Sequence, residues 1–248
     1  MENVFETTAL APINDLQALF PHLFIDVPDE DTGEVYTEPR IVYVEGQPLV
    51  YRFDGKTGRF NFNGKEDLGK EFAFQPICWR QFTGNLFDRK DSTRWVEFFF
   101  IDDNQCVSTV LFNNSSELNF TKALKDLVYS RKKLEEMRIT VTTEKLNYDV
   151  TLPDGQPQKG VYYAAVFNFT EGNREVRLLG RDVCRAYTIY TDMTARATKT
   201  NTRISVGYAK GFVSTSPEQT TELLETSSLQ EPDYHYEGVD LNRFDIVS

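Results

Sequence analysis

The chain has only two histidines, His22 and His235, and both lie in its acidic end segments. No imidazole is therefore available between residues 39 and 216 to act as a general base, which excludes a Ser-His-Asp or Cys-His arrangement there. There is no G-x-x-x-x-G-K-[ST] loop and no G-x-G-x-x-G turn to cradle a nucleotide phosphate. The three cysteines, Cys78, Cys106 and Cys184, are widely spaced without a C-x-x-C pair, and each sits in an apolar segment where a thiol serves as a small hydrophobe. The remaining catalytic option is carboxylate chemistry. Asp102 and Asp103, with Glu97 or with Asp88 and Asp91, could gather a magnesium ion for nuclease work, although each pair falls where turns ordinarily place Asp and Asn. We therefore expect neither an enzyme nor a cofactor.

What the body does carry is cations beside flat rings, which is what single-strand binding requires: cations to follow phosphates and rings on which bases stack. Trp79 adjoins Arg80, Arg94 adjoins Trp95, and Lys145 lies near Tyr148. Arg138, Arg174 and Arg177 fall on or beside the later strand-like segments with Tyr162 and Tyr163. The expected contact set is Trp79, Arg80, Arg94, Trp95, Arg138, Lys145, Tyr148, Tyr162 and Arg177. Neighbours on a strand point to opposite faces, so not all of these can line one groove, and the run Phe98-Phe99-Phe100 must place rings in the core. Lys122, Lys125 and Arg131-Lys132-Lys133 read most simply as the solvated face of a helix.

The elements that would position these residues begin with a long aromatic segment, Phe72 to Phe87, with Gly84 where a bent strand needs a residue lacking Cβ. Arg94 to Ile101 and Cys106 to Phe112 complete a meander. The apolar period then changes from about two to about 3.6. Ser115 and Ser116 can cap a helix that carries Phe120, Leu124, Leu127, Val128 and Leu134 on one face and ends near Glu136. Met137 to Leu152, Val161 to Thr170 and Arg174 to Leu179 read as further strands, the first two joined by Pro153-Asp154-Gly155. Before the meander, Arg40 to Val44, Leu49 to Phe53 and Arg59 to Asn63 describe linked hairpins, with Asp54-Gly55 as the clearest turn. Arg181 to Ala197 fits either a short amphipathic helix or a Thr-rich strand, and Arg203 to Val213 fits a strand. The expected fold is mainly β with one central helix: an OB-like Greek-key barrel over 72–179, extended by N-terminal hairpins.

Charge divides the 248 residues into three parts. Residues 1–38 form an acidic N-terminal arm of net charge −9, holding a short helix at Ile13 to Leu19. Residues 39–213 form the β-rich body. Residues 214–248 form an acidic C-terminal tail, expected to be flexible, in which 217–248 carry −7. The net charge of −11 belongs to the ends, and residues 39–216 carry +5. No run approaches the roughly 18 apolar residues of a membrane helix and the acidic start lacks a signal peptide's basic residues, so a soluble protein of a bacterial or infected-cell cytoplasm, with no membrane partner, is expected.

The element order of 72–179 and the acidic end, Tyr-Glu-Gly-Val-Asp-Leu-Asn-Arg-Phe-Asp-Ile-Val-Ser, resemble phage-type single-stranded DNA-binding proteins. The resemblance implies non-catalytic binding of single-stranded DNA in phage or mobile-element replication or recombination. It further implies an acidic tail that competes with DNA and recruits replication proteins. Bacterial tails of this kind typically end on phenylalanine after a denser acidic run, whereas this one contains Arg243 and ends Ile246-Val247-Ser248. Edge strands of such a barrel would leave pairing between copies, and hence a homo-oligomer, open. A structural or interaction protein, such as a phage virion component, is the alternative.

Overall fold

A computed structural model describes residues 13–87, 92–151 and 157–205. The protein is mainly β. Its centre is a seven-stranded sheet built on the antiparallel meander β7 (Pro76–Gly84), β8 (Thr93–Ile101) and β9 (Val107–Asn113). β3 (Leu49–Asp54) joins β9 in parallel and continues outward through β4 (Arg59–Phe62) and β5 (Glu66–Gly69), while β12 (Thr198–Ile204) flanks β7 on the other side. A second sheet has the order β11 (Pro157–Glu171), β10 (Met137–Thr151), β6 (Phe72–Phe74), and β1 (Phe24–Pro28) with β2 (Val35–Pro39) forms a separate hairpin. The expected OB-like closure is not formed by the described strands, which make three open sheets.

Both faces of the meander are buried, and this explains its nearly unbroken apolar sequence. On one face Trp79, Phe98, Phe100, Val110 and Phe112 meet Phe74, Ile139, Val141 and Phe167 of the second sheet, together with Phe120, Leu124 and Leu127 of helix α2 (Asn114–Tyr129). On the other face Cys78, Phe99 and Val107 meet Leu16, Leu23 and Ile41 of the N-terminal segment and Val183, Ala186 and Ile189 of the C-terminal one. The order of layers is thus second sheet with α2, central sheet, then helices α1 (Ile13–Leu19) and α3 (Arg174–Ala186).

Several expected elements change. Phe72 to Phe87 is two strands in different sheets, because Gln75 is anchored sideways: its amide donates to the carbonyls of Glu135 (3.1 Å) and Asn173 (3.0 Å) and accepts from the Asn173 N–H (2.7 Å). Gly84 ends β7 where Ala197 lies so close that a Cβ would overlap its carbonyl. Arg40 to Val44 is not a strand and makes one parallel bridge, Val42 to Cys106. α2 begins after Asn113 and stops at Tyr129, and Leu134 reaches the core from a separate 3-10 turn, Leu134–Glu136.

Ser116 does not cap α2. Its hydroxyl accepts the Ala165 N–H (2.9 Å), and Asn119 donates to the Ala165 carbonyl (3.0 Å), so α2 satisfies the outer edge of β11. The Arg174 to Leu179 segment is helical, the first turns of α3, and a short helix α4 (Asp192–Ala197) follows. β12 starts earlier than expected, at Thr198, and the rest of the expected Arg203 to Val213 strand lies outside the described residues beyond 205, as do the Pro153-Asp154-Gly155 turn and the acidic tail.

Candidate nucleic-acid interface

Three of the nine expected contact residues are inside the protein. Trp79 packs edge-on against Phe120 in the first core, with ring centroids 5.6 Å apart. Trp95 is buried with Phe82 and Leu86, and its indole N–H donates to the Gly84 carbonyl at 3.1 Å. Arg80 and Glu97 face each other across β7 and β8 with almost no exposure (1% and 0%) and form an ion pair of 2.9 Å. Arg80 also donates to Thr198 (2.9 Å) and Asn201 (3.2 Å), and Thr194 donates to both Glu97 carboxylate oxygens (3.0 Å each). This network ties α4 and β12 to the sheet and leaves Arg80 no access to a phosphate.

The carboxylates weighed for metal binding are likewise committed. Asp102 accepts from the N–H groups of Asn104 and Cys106, from Ser108 Oγ and from the Tyr51 hydroxyl. Glu97 belongs to Arg80. Among the described residues no group of three or more metal-ligating side chains gathers, and Asp88 and Asp91 lie outside them.

Tyr162 and Arg94 each bond the first turn of α2, and Tyr148 lies beside Tyr162. The Tyr148 and Tyr162 rings lie 6.4 Å apart on one face of the β10–β11 hairpin, with Tyr148 lying over Gly160, its partner in register, where any Cβ would collide with the ring. The Tyr162 hydroxyl hydrogen-bonds Ser115 Oγ at 3.1 Å, and within the same helical turn Glu117 pairs with Arg94 at 3.5 Å. Lys145 is exposed on the opposite face of the hairpin, in register with Tyr163, whose ring covers Gly58 of the β3–β4 turn.

Arg138 and Arg177 belong to a different surface, one that sequence reasoning missed. α3 is capped by Asn173, whose side chain accepts the Glu175 N–H at 2.7 Å, and Glu175 suits the positive helix end. Arg174, Arg177, Arg181 and Arg185 then recur at three- and four-residue spacing, which puts them in one stripe about 16 Å long on the side away from the core. The opposite side is apolar and close-packed: Gly180 is buried so tightly on β7 that a Cβ there would collide with Ile77.

Arg177 pairs with Glu136 at 2.7 Å, beside the exposed Arg138 at the start of β10. Arg181 and Arg185 share Asp182 at 3.1 and 3.5 Å, with His22 at 3.1 Å from the same carboxylate. Burial pushes the Asp182 carboxyl up, but Arg181, His22 and Arg185 outweigh it and hold the group below its ordinary value. Among the described residues Arg174 makes no ion pair, and Arg181 and Arg185 keep half or more of their side chains in solvent. Asn173 followed by Glu175, with arginine every third or fourth residue, was the available signal.

Compared with known proteins, the chain matches no family model, no curated protein and no solved structure. Among the described residues no helix is long and apolar enough to cross a membrane.

Proposed function

We propose that this protein binds single-stranded DNA without catalysing a reaction on it. The observation that carries the reading is the arginine stripe of α3, four arginines in one row on the solvent side of a helix close-packed on the central sheet at Gly180. Such a row meets successive phosphates of a flexible strand, and guanidinium planes also stack on bases. Arg138 extends the stripe where β10 begins, and Tyr148 and Tyr162 offer a second, aromatic surface with Arg94. Of the OB-like order, the meander β7–β8–β9 followed by α2 enters this reading, as the support on which both surfaces are built. The acidic C-terminal segment, of charge −7 over 217–248, would compete for the same cations and present itself to replication proteins.

The test is fluorescence anisotropy of a labelled oligo-dT of about 30 nucleotides, at low and moderate salt, with duplex and RNA controls. Binding to the single strand should weaken steeply with salt. Replacing Arg181 and Arg185 by Gln should lower both the affinity and the salt slope, the slope by about one per phosphate contact removed. No binding at low salt, or an unchanged slope, would overturn the assignment.

A second reading rests on the apolar exposure near the N-terminus. Ile25, Val35 and Tyr36 on β1 and β2, and Val42 and Val44 beyond them, are all more than two-fifths exposed, and apolar surface of this kind suits a protein partner. Stable self-association or a fixed complex, indifferent to added oligonucleotide, would favour this interaction role.

A further inference from the structure

Cys78 and Cys184 come from strand-like and helical segments 106 positions apart, and the fold brings them together. Gly180 permits α3 to touch β7 at Ile77, and one helical turn later the Cys184 thiol donates to the Ile77 carbonyl at 3.6 Å. Cys78, the next residue, lies in the same cluster as Val183 and Ala186, and Cys184 packs against that cluster. Both thiols are free; Cys78 is buried and Cys184 is only partly buried.

We propose that Cys78 and Cys184 form an oxidation site, at which a peroxide converts the thiol pair into a disulfide that fastens α3 to β7. The sulfur of Cys184, the less buried of the two residues, attacks one peroxide oxygen as thiolate; the O–O bond breaks, giving a sulfenic acid and, after protonation, one water. The Cys78 sulfur then attacks the Cys184 sulfur, the S–O bond breaks, and the hydroxyl departs with the Cys78 proton as a second water. Two thiols and hydrogen peroxide thus give one disulfide and two waters. Cys78 is buried among apolar groups and lies near Glu97 and Glu135, which makes its thiol a poor acid. Because Cys78 is buried and Cys184 only partly so, Cys184 is the sulfur that meets the oxidant, and Cys78 the one that resolves it. The bond closes a loop of more than a hundred residues and would restrain the helix that carries the arginine stripe.

The experiment uses the full chain treated with a small molar excess of hydrogen peroxide. Intact mass spectrometry should show the loss of two hydrogen masses, and peptide mapping should join the peptides containing Cys78 and Cys184. Titratable thiols under denaturing conditions should fall from three to one. The melting temperature should rise by about 5 °C or more and return on reduction. Cys106→Ser should leave this behaviour intact. Stable sulfinic acid on Cys184 with Cys78 still titratable, a disulfide involving Cys106, or three unchanged thiols would each overturn the proposal, and none requires a variant at the pair itself to fold.

Discussion

Arg80 and Trp79 were attractive contacts in sequence because a cation next to an indole is what a single strand needs, yet each is used by the core. Removing Arg80 alone, as Arg80→Met, leaves Glu97 buried without its ion pair and should cost about 3–5 kcal/mol in denaturant unfolding. Arg80→Met combined with Glu97→Leu should recover most of that loss. In neither case should oligonucleotide affinity per folded molecule change, and a selective loss of binding would return Arg80 to the interface. Glu135 offers a separate readout. Burial pushes its carboxyl above the ordinary value, against the opposing hydrogen bond to its own backbone and that from Trp79. A group whose pKa is raised by folding takes up protons on folding. Its contribution to stability is present below the unfolded value near 4.5 and is lost as pH rises through the folded one. Glu135→Gln should therefore flatten the melting temperature across the mildly acidic range just above that value; an unchanged pH profile would show that the carboxyl is solvated.

Among the elements, α3 and β11 show where local pattern was sufficient and where it was not. A short helix at Ile13–Leu19, the start of α2 and the strands β8 and β9 were legible from their apolar periods, whereas α2 stops at Tyr129 instead of near Glu136 and Phe72 to Phe87 divides into two strands. α3 was not legible. A window ending at Leu179 contains only its first six residues, and over so short a span Val176, Leu178 and Leu179 fit either a strand or a helical face. Its true period emerges only when Arg181, Val183, Arg185 and Ala186 are included. The role of Ser116 was hidden for another reason: a serine at a helix start fits a cap, and only the neighbouring β11 edge gives it a different partner. Ser116→Ala should leave the Ala165 N–H buried without its acceptor and cost about 1–3 kcal/mol, measured by urea unfolding. The corresponding loss should be much smaller at Ser115, which is bonded to the half-exposed Tyr162 hydroxyl.

For the whole molecule, charge layout is the controlling feature. A body of net charge +5 stands between ends of −9 and −7. Deleting residues 217–248 should tighten oligo-dT binding at low salt and change it little at high salt, where the attraction between tail and body is screened. Equal affinities with and without the tail at low salt would remove the competition while leaving the arginine stripe itself untouched.

By itself the sequence determined the strand-rich character, the meander, two of the helices, the lack of a histidine in the body and the separation of acidic ends from a basic centre. All of these are properties of composition and of short-range period. Only the tertiary structure decided which cations remain on the surface. Arg80 and Arg177 look alike in their nearest neighbours, each an arginine directly after an apolar residue in a segment that reads as a strand. Arg80 points into a sheet buried on both faces beside a buried glutamate, whereas Arg177 stands on a helix with one face in solvent. The same is true of closure: the strand order suited a barrel, but Gln75 hands the chain from one sheet to another, and α2 covers the edge of β11 that a barrel would have paired. Burial and partner choice depend on residues distant in the chain, and no local pattern carries them.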